Sequence, residues 1–189
     1  MLVAVSPSRR AAAAAAIYSL SSVALFTISA AYHRHRWTPR ARALMRRLDH
    51  AAIFLLIAGT YTPLCLLGLP PELGNRILAY VWAGAAVGLV VTVFWVHAPK
   101  PLTAILCLAV GWTLVPYLSA VGAALGPSRI ALMLSGGIFY SLGAVAYAAK
   151  RPNPLPGVFG YHEVFHACTL AASVAHFALV LGLVRKGAC

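Results

Sequence analysis

Acidic side chains are almost missing from this chain: Asp49, Glu72 and Glu163 are the only three in 189 residues. Charged residues of either sign make up 10% of it, where a soluble domain carries about 25%. That scarcity excludes an ordinary water-soluble globule. No polar stretch is long enough to form a separate soluble domain, so residues 1–189 read as a single transmembrane domain. Paired cysteines are missing too. Cys65, Cys107, Cys168 and Cys189 are dispersed, three of them inside apolar runs, and none forms a CxxC. A thiolate zinc framework is thereby excluded, and no disulfide pattern shows. The opening "MLVAVSPSRR" lacks the order of a signal peptide, because Arg9 and Arg10 follow the first apolar residues instead of preceding them.

What is present is hydrocarbon. Hydrophobic residues reach 61% and mean hydropathy is +0.84. Six apolar runs stand out, at about 11–33, 50–69, 76–97, 102–125, 129–149 and 162–184. A helix needs about 20 residues to cross a ~30 Å hydrocarbon core, and each run meets that length. They are too long and too uniformly apolar for barrel strands. The expected fold is all-α, a polytopic transmembrane helical bundle with six visible spans. Pro63 and Pro116 fall inside spans and predict kinks. "GAAVG" (84–88) and "GAALG" (122–126) carry the small-xxx-small spacing of close helix contacts.

Fifteen Lys and Arg set a net charge of +12. They sit in short connections between apolar runs, where membrane topology needs them, so no nucleic-acid partner is expected. Segment 34–47, "RHRWTPRARALMRR", holds six arginines and no acid and is expected to be a cytoplasmic loop. Alternation then puts Lys100, Lys150 and Arg151 on the same side and both termini on the other.

Ionisable groups converge on that side. His33 ends the first span, Asp49 and His50 begin the second, and His162 and His166 open the last. HxxxH on a helix sets two imidazoles on one face, about 6 Å apart at Cβ. Both can then reach one metal, and His33 would supply a third nitrogen. Three histidines with an open fourth position are typical of catalytic zinc. Asp49 is the candidate to orient or deprotonate a water, and Ser29, one turn before His33, to hydrogen-bond the water or a substrate carbonyl. Plainer roles compete. HxxxH arises by chance, His33 suits a membrane boundary, Asp49 suits the N-cap of the second span, and Ser29 suits a back-bond to its own helix. Ionisable groups within spans are costly, however, and usually functional. His176, about 15 Å further along the last span, is too far for the same metal and is expected to bond another helix. His97 and His35 read as loop residues, and Glu163 as a partner of the helix macrodipole.

"SAAYH", "RRLDHAAIFLLIAGTYTP" and "HEVFH", in this order, resemble the hemolysin III family, the bacterial branch of the progestin and adipoQ receptor proteins. The resemblance implies a helical bundle with a zinc ion near the cytoplasmic face of a bacterial-type inner (plasma) membrane. It implies His33, His162 and His166 as metal ligands, with Asp49 holding the water and Ser29 lining the site. Alkaline ceramidases of the wider superfamily hydrolyse a lipid amide, which makes a membrane lipid the implied substrate. The alternatives are a receptor-like or regulatory protein with a structural zinc, and a pore. A pore needs a polar stripe across several spans, whereas here the polar groups gather at one end. The family has seven spans and this chain shows six, the expected missing one being the first, before "AAAAAAIYSLSS".

Overall fold

The computed structural model describes residues 2–95 and 100–186, the side chains of Lys100 and Lys186 excepted; His97 and Cys189 lie outside them. Among the described residues, the main elements are seven α-helices: α1 (Arg9–Arg34), α2 (Pro39–Gly68), α3 (Pro71–Phe94), α4 (Lys100–Gly111), α5 (Leu118–Leu125), α6 (Pro127–Ala149) and α7 (Tyr161–Lys186). Single 3-10 turns cover Val3–Val5 and Val115–Tyr117. Six helical stretches are long and apolar enough to cross a membrane, with α4 and α5 together making the fourth. The chain is an all-α polytopic membrane protein.

Two boundaries differ from the sequence reading. The second helix begins at Pro39, not near residue 50. Thr38 caps it, its hydroxyl accepting from the Ala41 N–H at 3.4 Å, and Pro39 occupies the first turn. "PRARALMRR" is rich in Ala, Leu, Arg and Met, all strong helix formers. The helix therefore runs outward past the apolar stretch, and most of the supposed loop 34–47 is α2 itself. Apolar-run counting misses such an extension because it stops at the first charged residue.

The fourth span is not one helix either. α4 ends at Gly111, a 3-10 turn carries Pro116, and α5 starts at Leu118. Proline lacks the N–H that an uninterrupted helix would need there. Pro63, by contrast, is buried inside α2, which continues through it. The flanking Thr60 and Thr62 hydroxyls donate to the carbonyls of Leu56 and Ala58, each at 2.8 Å.

α2 is the central element. Its Phe54, Ala58, Tyr61 and Leu64 pack with Ile77 and Val81 of α3, Val121 and Leu125 of α5, Met133 of α6, and Leu179 and Leu183 of α7. Its Ala52 and Leu56 pack with Tyr18 and Leu25 of α1 and Val180 of α7. The most extensive pairings are α6 with α7, α1 with α2, and α2 with α3; α1 touches α7 only slightly. Large apolar side chains such as Leu20, Val87, Phe94 and Val174 face outward, as lipid allows. In lipid, close van der Waals packing replaces the hydrophobic drive. The "GAAVG" stretch serves this purpose. A Cβ at Gly84 would meet Val110 Cγ2 at 2.9 Å, and one at Gly88 would strike the Phe54 ring. "GAALG" does not: nothing stands near Gly122, and Gly126 instead takes φ +80° to turn α5 into α6.

Candidate metal centre

The site forms where the end of α1 meets the start of α7. His33 lies in the last turn of α1. α7 starts at Tyr161, and side chains fix that start. Glu163 Oε2 accepts from the Gly160 N–H and Asn153 Oδ1 from the Tyr161 N–H, both at 2.9 Å. Glu163 thus ties down the helix start and satisfies a backbone donor that the helix leaves orphaned, and its charge also acts on His162 and His166.

With α7 so anchored, His162 and His166 stack one turn apart, their Nε2 atoms 3.1 Å from each other. The His33 ring centroid lies 4.9 Å from that of His162 and 5.2 Å from that of His166. One ring nitrogen from each of the three lies within 4.8 Å of the others, so the group can hold a metal ion. Aromatic rings surround it. Tyr32 packs edge-on to His33 at 4.7 Å, while Tyr147 and Phe165 lie 5.7 and 6.4 Å from His162. His162 and His166 are half-buried and His33 is exposed, which leaves a way in.

The donor set fits zinc. Two nitrogens bound tetrahedrally at about 2.05 Å stand about 3.3 Å apart, close to the 3.1 Å between Nε2 of His162 and His166. Imidazole donors suit zinc, copper, iron and nickel alike.

Asp49 is not the N-cap of its helix. Thr38 is, and Asp49 sits well inside α2, half-buried. Its carboxylate interacts electrostatically with both His162 and His166, yet it is not part of the converging ligand group. Ser29 lies one helical turn before His33 and is half-buried. Ser21 and Ser22 both donate to the Tyr18 carbonyl, at 2.8 and 2.9 Å; among the described residues Ser29 makes no such back-bond. His176 stays apart from the group, as expected, and bonds another helix through Nε2 and the Met133 carbonyl at 3.1 Å. Sequence reasoning took Arg42 and Arg46 only as topology signals. Their four-residue spacing within a helix-forming segment was the available sign that they share a face.

The Haemolysin-III related family matches residues 1–177. The chain belongs to that family. A hemolysin-3 homolog of Bacillus subtilis (strain 168) is 32% identical over 167 residues, 87% of this chain and 74% of that protein. Hemolysin-3 of Bacillus cereus is 33% identical over 165 residues, 87% of this chain and 72% of that protein. The heptahelical transmembrane protein ADIPOR2 of Oryza sativa subsp. japonica is 30% identical over 157 residues, covering 75% and 68% of the two chains. These likenesses agree with the motif resemblance around His33, Asp49 and His162.

Proposed function

We propose that this haemolysin-III related protein is a zinc-dependent hydrolase of lipid amides or esters, working at the membrane boundary. One observation carries the reading: imidazoles from two helices far apart in sequence converge, with the Nε2 atoms of His162 and His166 3.1 Å apart. Structural zinc sites are closed by four protein ligands. Three nitrogens among the described residues, one on an exposed histidine, favour an open site over a structural one.

His33, His162 and His166 would hold the ion. Zinc bound by them supplies Lewis acidity that polarises a carbonyl and lowers the pKa of water toward ~7. Asp49, carried on a helix, takes the proton of the attacking water on its carboxylate. It hands that proton to the departing amine or alkoxide as the carbonyl C–N or C–O bond breaks. The Ser29 hydroxyl, free of its own helix, donates to the substrate carbonyl. The outward apolar faces leave an acyl chain in lipid. In this reading the protein resides in the plasma membrane with the basic segment 34–47 on the cytoplasmic side.

The test is fatty-acid release from a panel of lipid amides and esters by purified, zinc-loaded protein, with Asp49→Asn beside it. The variant should keep stoichiometric zinc and lose about 10²–10⁴-fold in rate. If the parent releases nothing across the panel, the hydrolase reading fails; if the parent is active and the variant keeps its rate, Asp49 is not the base.

A further inference from the structure

The last turn of α1 and the first turns of α2 enclose an open pocket of about 260 Å³, lined by Tyr32, Pro39, Arg42, Ala43 and Arg46. Residues 39, 42, 43 and 46 recur at three- and four-residue spacing and so share one face of α2. Arg42 and Arg46 are exposed. Among the described residues neither pairs with a carboxylate; the ion pair there is Arg76 with Glu72. The first turn of α2 holds no acid, so the positive end of a long helix adds to the same field. The next residue along, Arg47, has a buried Nε with no hydrogen-bond partner among the described residues. Positive charge is concentrated here; Asp49, one turn beyond Arg46 on the same face, is the nearest carboxylate by sequence and forms no ion pair with either arginine. Like charges one turn apart repel, and a topology signal does not require them to share a cavity.

Depth narrows the ligand. The apolar stretch of α2 begins near Ala51, and Arg46 and Arg42 come five and nine residues before it. On a helix that is about 8 and 14 Å outside the hydrocarbon edge, at the outer limit of the headgroup layer of about 5–8 Å and about 6 Å past it, a gap that a long arginine side chain can span. The Tyr32 ring closes the side toward α1, and the Pro39 ring and Ala43 methyl supply apolar wall.

We infer that this pocket binds the phosphate of an anionic lipid headgroup, gripped by the Arg42 and Arg46 guanidiniums with the Tyr32 hydroxyl as a further donor. It uses none of the groups assigned to zinc and stands whether or not the protein is a hydrolase.

The experiment measures lipid retention by the purified full chain, by native mass spectrometry in detergent, titrating phosphatidylglycerol against phosphatidylcholine. The parent should prefer phosphatidylglycerol by about tenfold or more. Arg42→Gln with Arg46→Gln should abolish that preference. Arg9→Gln with Arg10→Gln, an equal loss of charge at the other end of α1, should change it less than about twofold. Equal loss in both pairs would mean diffuse charge and would overturn the site, as would an unchanged preference in the first pair. Inorganic phosphate and glycerol phosphate form a separate arm. Displacement of phosphatidylglycerol by either at equimolar concentration would assign the pocket to a soluble anion and overturn the lipid assignment. Should the glutamine pair not fold, Arg42→Lys with Arg46→Lys is read instead. Preference weakened about threefold, from loss of the bidentate fork, supports the site; full preference overturns it.

Discussion

His166 and His176 sit ten residues apart on α7, yet they face different partners. His166 faces two other imidazoles at the end of the bundle, beside an exposed histidine and within the field of Asp49. His176 lies in the interior, its Nε2 bonded to the Met133 carbonyl and its ring 5.6 Å from Tyr140. A carbonyl only accepts, so Nε2 of His176 carries the proton and Nδ1 is left as a buried lone pair without a partner among the described residues. Gly136 makes room for that ring, since a Cβ there would strike it. Tyr140 and Ser173 share a hydrogen bond of 2.9 Å alongside. The first histidine is held with its Nε2 turned to a second imidazole, where a metal can come between them; the second is used up by packing. Residue type and helix are the same, so the neighbours decide the role.

Three substitutions sharpen that contrast, beginning with the largest effect. His166→Ala should lower zinc affinity by more than about a hundredfold while the bundle still folds. Metal content after gel filtration and helicity by circular dichroism check both halves; full zinc retention would remove His166 from the ligand set. His176→Ala should do the reverse, keeping zinc and costing about 2 kcal/mol through the cavity and the lost hydrogen bond. Thermal unfolding of the zinc-loaded protein reads this, and zinc loss on that substitution would erase the distinction between the two histidines. Tyr61→Phe should have the smallest effect. It removes only the hydroxyl that donates to the Gly111 carbonyl at 2.6 Å, at about 1 kcal/mol, with metal content unchanged.

Much of this was legible in the sequence for a simple reason. Hydrocarbon forces apolar runs of fixed length, and it makes ionisable residues inside them conspicuous. His33, His162 and His166 could therefore be matched by depth before any helix was placed. What escaped lies where that pressure ends. α2 extends over polar residues at the membrane boundary, where helix propensity and the Thr38 cap decide, so its start was misread and the N-cap role weighed for Asp49 falls to Thr38. The break between α4 and α5 depends on how Pro116 is accommodated, which hydropathy does not encode. The two glycine motifs share one spacing, and only the helices they happened to face separated the packing one from the turning one. His176 was expected to reach another helix, but its acceptor belongs to tertiary structure alone.

The outward extension of α2 has a mechanical consequence. Arg42, Arg46 and Asp49 are spaced by four and then three residues, which aligns them along a single stripe of one rod. About 10 Å of uninterrupted helix separates the backbone positions of Arg42 and Asp49. The rod is therefore a ruler: whatever rests at its upper mark meets the lower mark at a distance no loop movement can change.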